Sequence, residues 1–179
     1  AKLTMLLSHS NVVQTFDVGR DGDQSFMVME WVDGLNLSQL AALMRERGVP
    51  FPLPVAAFVT GEVLRALAYA HTVTHAGAPL GVIHRDVSPQ NVLISVSGEV
   101  KLADFGVARL AQEETSGLHV KGKLRYMAPE QLEGQSKAAT VDLYAVGAML
   151  HELMDGRKFR EATDEMHLYG KVMSGEVPA

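Results

Sequence analysis

Two polar residues, Asn91 and Asp104, flank a pair of short apolar segments in the middle of this 179-residue chain. Asn91 precedes the segment 92–94 (Val-Leu-Ile), and Asp104 closely follows the segment 100–102 (Val-Lys-Leu). A Ser-Gly pair at 97–98 separates the two segments, and this pattern predicts two short strands joined by a turn. Because a hairpin brings its outer ends together, we expect Asn91 and Asp104 to lie side by side.

A wider set of motifs surrounds that hairpin, in a fixed order. These are His84-Arg85-Asp86, then Asn91, then Asp104-Phe105-Gly106, and finally Ala128-Pro129-Glu130. Separate turn and loop residues would explain any one of them but not the whole ordered set. Together the motifs resemble the catalytic loop, the metal-binding loop and the closing motif of protein kinases.

The resemblance implies a role for each polar group. Asp86 orients the attacking hydroxyl and accepts its proton, while Asn91 and Asp104 bind Mg²⁺ that bridges the ATP phosphates. One carboxylate and one amide suit a hard cation that keeps part of its water shell. In the family His84, Phe105 and Gly106 support this arrangement. ATP, Mg²⁺ and protein substrates are therefore the expected ligands.

The segment 28–32 (Val-Met-Glu-Trp-Val) resembles the kinase hinge. By that resemblance, backbone groups of Glu30 and Val32 meet the edge of adenine. Met29 guards the back of the nucleotide pocket, and Leu93 forms its floor. Hydropathy alone would assign Met29 and Leu93 to simple core packing.

Two positions depart from the commonest serine/threonine kinase pattern. Ser88 occupies the place of a lysine in the catalytic loop, and Lys123 occupies the place of a threonine before Ala128. Because a lysine side chain can reach one site from different backbone positions, Lys123 is a candidate to return the charge missing at Ser88. The alternative is two independent substitutions with Lys123 in solvent. The variant resembles bacterial eukaryotic-like kinases more than animal ones.

The segment between Gly106 and Ala128 resembles an activation loop. In the family geometry Arg85 and Arg109 face this loop and form a pocket for a phosphate dianion. Thr115 and Ser116 are the candidate phosphorylation sites. The alternative is a polar loop with no regulated residue.

Apolar residues at helical spacing predict helices over 35–47 and 54–73, followed by an apolar helix that begins near Asp142. In the second of these helices the predicted buried face comprises Val55, Phe58, Val59, Val63, Leu64, Leu67 and Ala68. The resemblance implies that Asp142 caps backbone amides of the catalytic loop. It also implies that Glu130 pairs with an arginine from later helices.

The histidines His71 and His75 are four residues apart, which is the spacing of helix-borne metal ligands. No glutamate in an H-E-x-x-H pattern and no third ligand accompany them, so a packed or solvated helix face is the favoured interpretation.

The expected fold is α+β and kinase-like. Residues 1–32 correspond to the end of the small lobe and the hinge, and residues 33–179 to a mainly helical large lobe that is incomplete at its C-terminus. The sequence contains no G-x-G-x-x-G motif. A chain without that loop and the small-lobe lysine is expected to bind ATP poorly and to transfer no measurable phosphate.

Composition limits the classes of partner. A formal charge of −5 and a pI near 5.8 argue against nucleic acid or an anionic membrane as a partner. No long apolar run or secretory signal is evident, and the chain has no cysteine, so the cytoplasm is the expected compartment. The expected function is phosphorylation of protein Ser/Thr hydroxyls. A tyrosine kinase and a non-catalytic kinase-like binding module remain the alternatives.

Overall fold

The computed structural model describes residues 3–105, 124–134 and 138–178. The strands are β1 (Thr15–Asp21), β2 (Gln24–Met29), β3 (Gly34–Asn36), β4 (Thr74–His75), β5 (Ala78–Pro79), β6 (Val92–Ser95) and β7 (Val100–Leu102). The α-helices are α1 (Leu37–Glu46), α2 (Leu53–Thr72), α3 (Pro129–Leu132), α4 (Thr140–Asp155) and α5 (Glu165–Met173). Short 3-10 helices cover Thr4–Leu6 and Leu124–Tyr126.

Strands β1 and β2 form an antiparallel hairpin. Gly19 pairs with Phe26, and the two strands continue to Asp21 and Gln24. Only Gly22 and Asp23 form the connection, with Gly22 at a φ of 58°. Glycine adopts this backbone region without the steric cost of a Cβ atom, so a two-residue hairpin turn is possible here.

The predicted hairpin around Asn91 and Asp104 is confirmed. Strands β6 and β7 pair antiparallel, with Val92 opposite Leu102, and β3 adds to the free edge of β6. At Gly34 a Cβ atom would lie 2.0 Å from the carbonyl oxygen of Ile94, so only glycine permits this close approach. The extended segment 30–33, in which the predicted lobe boundary falls, connects β2 to this sheet.

Helix α2 packs against α4 and β7 at the centre of the core. Its buried residues are Ala56, Val59, Thr60, Val63, Ala66, Leu67 and Ala70. Of the predicted face, Val59, Val63 and Leu67 are buried. The other four predicted residues are exposed, so the prediction was wrong for Val55, Phe58, Leu64 and Ala68. Three alanines are among the buried residues of α2, while several larger apolar residues lie on its outer side.

Among the described helices, α2 is long and apolar enough to cross a membrane, with a mean hydropathy of 1.3 over its most apolar window. A core helix satisfies the same criteria, and the packing of α2 on α4 is of that kind.

Candidate active site

The catalytic loop is held by one buried carboxylate. Asp142, in the first turn of α4, is 1% exposed. Its Oδ2 accepts a hydrogen bond from the His84 amide at 2.9 Å, and its Oδ1 accepts one from the Arg85 amide at 2.7 Å. A buried carboxylate requires such donors, and Asp142 meets this requirement by accepting from two backbone amides of the loop.

His71 supplies a further donor to the same carboxylate. Its Nε2 lies 2.8 Å from Oδ2 of Asp142. The described residues contain no group of three side chains able to hold a metal ion, and His75 lies apart on β4. His71 therefore packs against the start of α4 through this bond. Its partner is 71 residues away in the sequence, and spacing alone had no signal for this contact.

His84 joins the catalytic loop to the end of β7. Its Nδ1 accepts from the Asp86 amide at 3.2 Å, and its Nε2 lies 2.8 Å from the Ala103 carbonyl oxygen. Since a carbonyl oxygen only accepts, these bonds match the tautomer with its proton on Nε2. Phe105 is 4% exposed and meets the His84 ring edge-on at 4.6 Å between centroids. Both residues therefore have the expected structural role.

Asn91 is oriented by Asp86. The Asn91 Nδ2 donates to the Asp86 carbonyl oxygen at 2.8 Å and to its carboxylate Oδ2 at 3.1 Å. Because both bonds use the amide nitrogen, the amide oxygen of Asn91 remains available as a cation ligand.

Asp104 lies close to Asn91, as the hairpin predicts. The amide of the preceding residue, Ala103, donates to the Asn91 carbonyl oxygen at 2.8 Å. Asp104 has a φ of 63°, a region that costs free energy for residues other than glycine and is common at functional sites. One amide oxygen and one carboxylate form a hard but incomplete donor set. This set fits a divalent cation whose remaining ligands come from nucleotide phosphates and water.

The segment after β2 presents backbone groups beside this centre. The Glu30 amide donates to the Gln14 carbonyl oxygen at 2.9 Å. Within the described residues, the Glu30 carbonyl and the Val32 amide take part in no hydrogen bond, so both are available to a ligand. Met29 and Asp104 line one small cavity of about 10 Å³. Leu93 is half-buried on β6.

An ion pair fixes the Glu30 side chain. Lys101, 9% exposed on β7, lies with its Nζ 2.8 Å from the Glu30 Oε1, and the Gln14 amide donates to Oε2 at 3.1 Å. Burial acts to raise the pKa of Glu30, but the hydrogen bonds from Lys101 and Gln14 outweigh it, so the pKa lies below its ordinary value. The sequence analysis did not identify Lys101. Lys101 pairs with Leu93 in the hairpin, and a lysine within this apolar strand was the available sign of a specific partner.

Comparisons with known proteins agree with this geometry. Residues 1–177 match the protein kinase domain family. The chain belongs to the protein kinase family. Its relatives include the probable serine/threonine-protein kinase PknB of Lactococcus lactis, which is 40% identical over 84% of the chain and 23% of the relative. PknL of Mycobacterium tuberculosis, a serine/threonine-protein kinase, is 38% identical over 87% of the chain and 37% of the relative.

A third relative of this kinase chain carries a different name. The tyrosine-protein kinase MasK of Myxococcus xanthus is 34% identical over 99% of the chain and 28% of the relative. The chain therefore spans between about a quarter and somewhat over a third of the length of these three kinases. All three are bacterial, which agrees with the expected bacterial eukaryotic-like type.

Several kinase positions named from the sequence lie outside the described residues: Gly106, Arg109, Thr115, Ser116 and Lys123. Their roles remain predictions. Ser88, two residues after Asp86, is buried at 3% exposure. Glu130 is half-buried in the first turn of α3, and its pairing with a later arginine also remains a prediction.

The segment that enters α3 is anchored to α4 and to the chain after it. The Tyr126 hydroxyl donates to Glu152 Oε2 at 2.7 Å. Burial raises the pKa of Tyr126 above its ordinary value, and the negative charge of Glu152 adds to this effect. Arg160, 1% exposed, donates to the carbonyl oxygens of Arg125 at 3.3 Å and Met127 at 3.0 Å. Sequence analysis did not identify this cluster, because its members are far apart in the chain.

Proposed function

We propose that this chain belongs to a kinase domain that transfers the γ-phosphate of ATP to Ser or Thr hydroxyls of proteins, with Mg²⁺. The observation that carries the proposal is the Asp86–Asn91 hydrogen bond at 3.1 Å, placed beside Asp104 by the β6–β7 hairpin. This arrangement provides a base and two hard oxygen ligands at one edge of the fold.

Asp86 has the central part in the proposed reaction. Its carboxylate orients the substrate hydroxyl and accepts the proton as the bond from the hydroxyl oxygen to phosphorus forms. Asn91 holds that carboxylate in one direction through its Nδ2. The Glu30 carbonyl and the Val32 amide hold the adenine, which sets the distance from the nucleotide to Asp86.

The implied cation fits the donors present. Asn91 Oδ1 and the Asp104 carboxylate would hold Mg²⁺, and the bound ion would neutralise charge on the phosphate oxygens. The positive φ at Asp104 is held by neighbouring contacts: Ala103 is bonded to both Asn91 and His84. That support is expected where a carboxylate must point in one direction.

The acceptor residue is proposed as serine or threonine because the relatives PknB and PknL bear serine/threonine kinase names. The name of MasK makes tyrosine the second candidate. Phosphoamino acid analysis of the labelled product separates the two, and a product carrying only phosphotyrosine contradicts the Ser/Thr proposal.

The test of the proposed function uses the complete kinase domain, with a glycine-rich loop and small-lobe lysine. Asp86→Asn should abolish transfer while leaving nucleotide affinity unchanged, because the amide keeps the shape but cannot accept the proton. Asp104→Asn should abolish Mg²⁺-dependent transfer and weaken Mg·ATP binding, because the charge that holds the cation is lost.

Asp23→Asn, an exposed residue of the β1–β2 turn, is the matched control and should retain full activity. Phosphate transfer is measured with labelled ATP, and nucleotide binding by calorimetry. Strong activity in Asp86→Asn or Asp104→Asn would refute the assigned roles. Nucleotide binding by a wild-type domain that transfers nothing would favour the binding-module alternative.

A further inference from the structure

Gln131 joins two segments that lie 46 residues apart in the sequence. Its Oε1 accepts a hydrogen bond from the Ala128 amide at 2.9 Å, which caps the start of α3. Its Nε2 donates to the Arg85 carbonyl oxygen at 3.1 Å. The two bonds use opposite ends of one side-chain amide, so they can be separated by mutation.

The group that receives the second bond is under backbone strain. Arg85 has a φ of 66°, a backbone region that is unfavourable for a residue other than glycine and persists only where surrounding contacts maintain it. Asp142 holds the amide of Arg85 at 2.7 Å, and Gln131 holds its carbonyl. The carbonyl of Arg85 belongs to the peptide bond that leads into Asp86, so its orientation sets the direction in which Asp86 leaves the backbone.

The other end of Gln131 is bonded to a buried and hydrogen-bonded segment. Ala128 is 0% exposed and follows Met127, whose carbonyl accepts from the buried Arg160. Tyr126 is bonded to Glu152 of α4. The segment before α3 is thereby attached to the large-lobe core, and a side chain based on it can act as a rigid spacer.

We infer that Gln131 is a positioning residue for the catalytic aspartate, which couples the segment 124–128 to the peptide bond between Arg85 and Asp86. The inference rests on the proposed function. Capping of α3 requires only the Oε1 of Gln131, and a carboxylate oxygen would serve equally well. The amide nitrogen is needed only for the bond to Arg85.

Gln131→Glu separates the two roles. The variant keeps an acceptor for the Ala128 amide but places a carboxylate oxygen, which cannot donate, against the Arg85 carbonyl. We expect unchanged thermal stability and KM for ATP, with kcat reduced about 10-fold to 100-fold, the scale of a small misplacement of a reacting group. Gln131→Met removes both bonds without adding charge. It should reduce kcat at least as much and also lower the melting temperature.

The matched control is Gln39→Glu. Gln39 makes the same type of cap at the start of α1, where its Oε1 accepts from the Asn36 amide at 2.9 Å. It should leave kcat and melting temperature unchanged. A Gln131→Glu variant whose kcat stays within about twofold of wild type would show that Gln131 is only a helix cap, as would loss of stability without a separate loss of kcat.

Two further outcomes also decide the inference. If Gln131→Met retains full kcat while Gln131→Glu does not, added charge rather than the lost donor is responsible, and the inference fails. Amide hydrogen exchange does not depend on catalysis, and it should become faster at residues 84–86 in Gln131→Glu but not in Gln39→Glu. That result would support the positional role of Gln131 even in a domain with no kinase activity, while unchanged exchange would overturn it.

Discussion

Replacement of Asp142 by asparagine tests whether one buried carboxylate maintains the catalytic loop. The carboxylate accepts from the His84 amide, the Arg85 amide and His71 Nε2, and its side chain is 0% exposed. Asparagine has one oxygen and one NH₂ group. Whichever way the amide turns, at least one buried donor then faces another donor.

The expected loss of stability follows from the number of buried donors left unsatisfied in Asp142→Asn. An unsatisfied buried donor costs about 1–3 kcal/mol, and the remaining bonds lose the strength that the charge provides, so we expect a total near 2–4 kcal/mol. For a domain of roughly 150–250 residues, each kcal/mol lowers Tm by about 2–4 °C, which gives a fall of about 4–16 °C. Arg85, with its φ of 66°, also loses the group that holds its amide. kcat should therefore fall even well below Tm.

The assay is a thermal melt followed by calorimetry, with kcat measured at a temperature where both proteins are folded. Asp155→Asn is the control on the same helix, because Asp155 pairs with Arg157 at 2.8 Å at the protein surface. Exposed substitutions of this kind usually change stability by less than about 0.5 kcal/mol. A Tm for Asp142→Asn equal to that of Asp155→Asn, with normal kcat, would refute the argument that the carboxylate supports the loop.

The remaining predictions concern two lysines. Lys101→Met should raise KM for ATP about fivefold with little change in kcat, because it removes a partly buried ion pair worth roughly 1 kcal/mol and so frees the segment at Glu30. Lys101→Arg should restore the KM. Unchanged nucleotide affinity in Lys101→Met would contradict this role. The folded pKa of Glu30 lies below its ordinary value of 4.5. The stability that Lys101 contributes should therefore be complete above that pH and be lost as the pH falls through the folded pKa, and a comparison of wild-type and Lys101→Met melts across this range measures it. Lys123→Thr should cost about 2–4 kcal/mol of transition-state stabilisation, and adding Ser88→Lys to this variant should recover much of the lost stabilisation. A double variant no more active than Lys123→Thr would show that positions 88 and 123 are uncoupled.

Local patterns were sufficient where the contact partners are close in sequence. The β6–β7 hairpin follows from two apolar runs and a turn, and it alone brings Asn91 next to Asp104. Helices α1 and α2 were predicted to within about two residues for the same reason, since the helical period is local.

The buried face of α2 was only partly predictable. Its first turns contain apolar residues on several sides, so the 3.6-residue period does not select one face. Ala66 and Ala70 on the buried side are both 0% exposed, whereas Phe58 on the outer side is 52% exposed. The buried face is selected by the elements that pack on α2, including α4 and β7, as well as by the hydropathy of α2 itself.

The contacts made by His71 and Gln131 were not predictable from local pattern, because each joins elements that are distant in the sequence. His71 meets Asp142 across 71 positions, and Gln131 meets Arg85 across 46. Histidine near a helix end and glutamine after a proline-led turn are both ordinary residues in their local setting. Only assembly of α2, α3 and α4 around the catalytic loop gives them distant partners.

Arg85 and Asp104 show why these distant contacts are needed. Local preference would place glycine or asparagine at a positive φ, yet an arginine and an aspartate occupy these two positions, immediately before the proposed base and at the proposed cation ligand. A chain can keep such residues only if other groups maintain the backbone, and Asp142, Gln131 and the bonds of Ala103 do so. A third residue of this kind among the described residues, Ala76, lies in the turn between β4 and β5, so a positive φ alone does not identify the site. At Arg85 and Asp104 the positive φ coincides with distant side chains that support the backbone, and this combination marks the proposed catalytic residues.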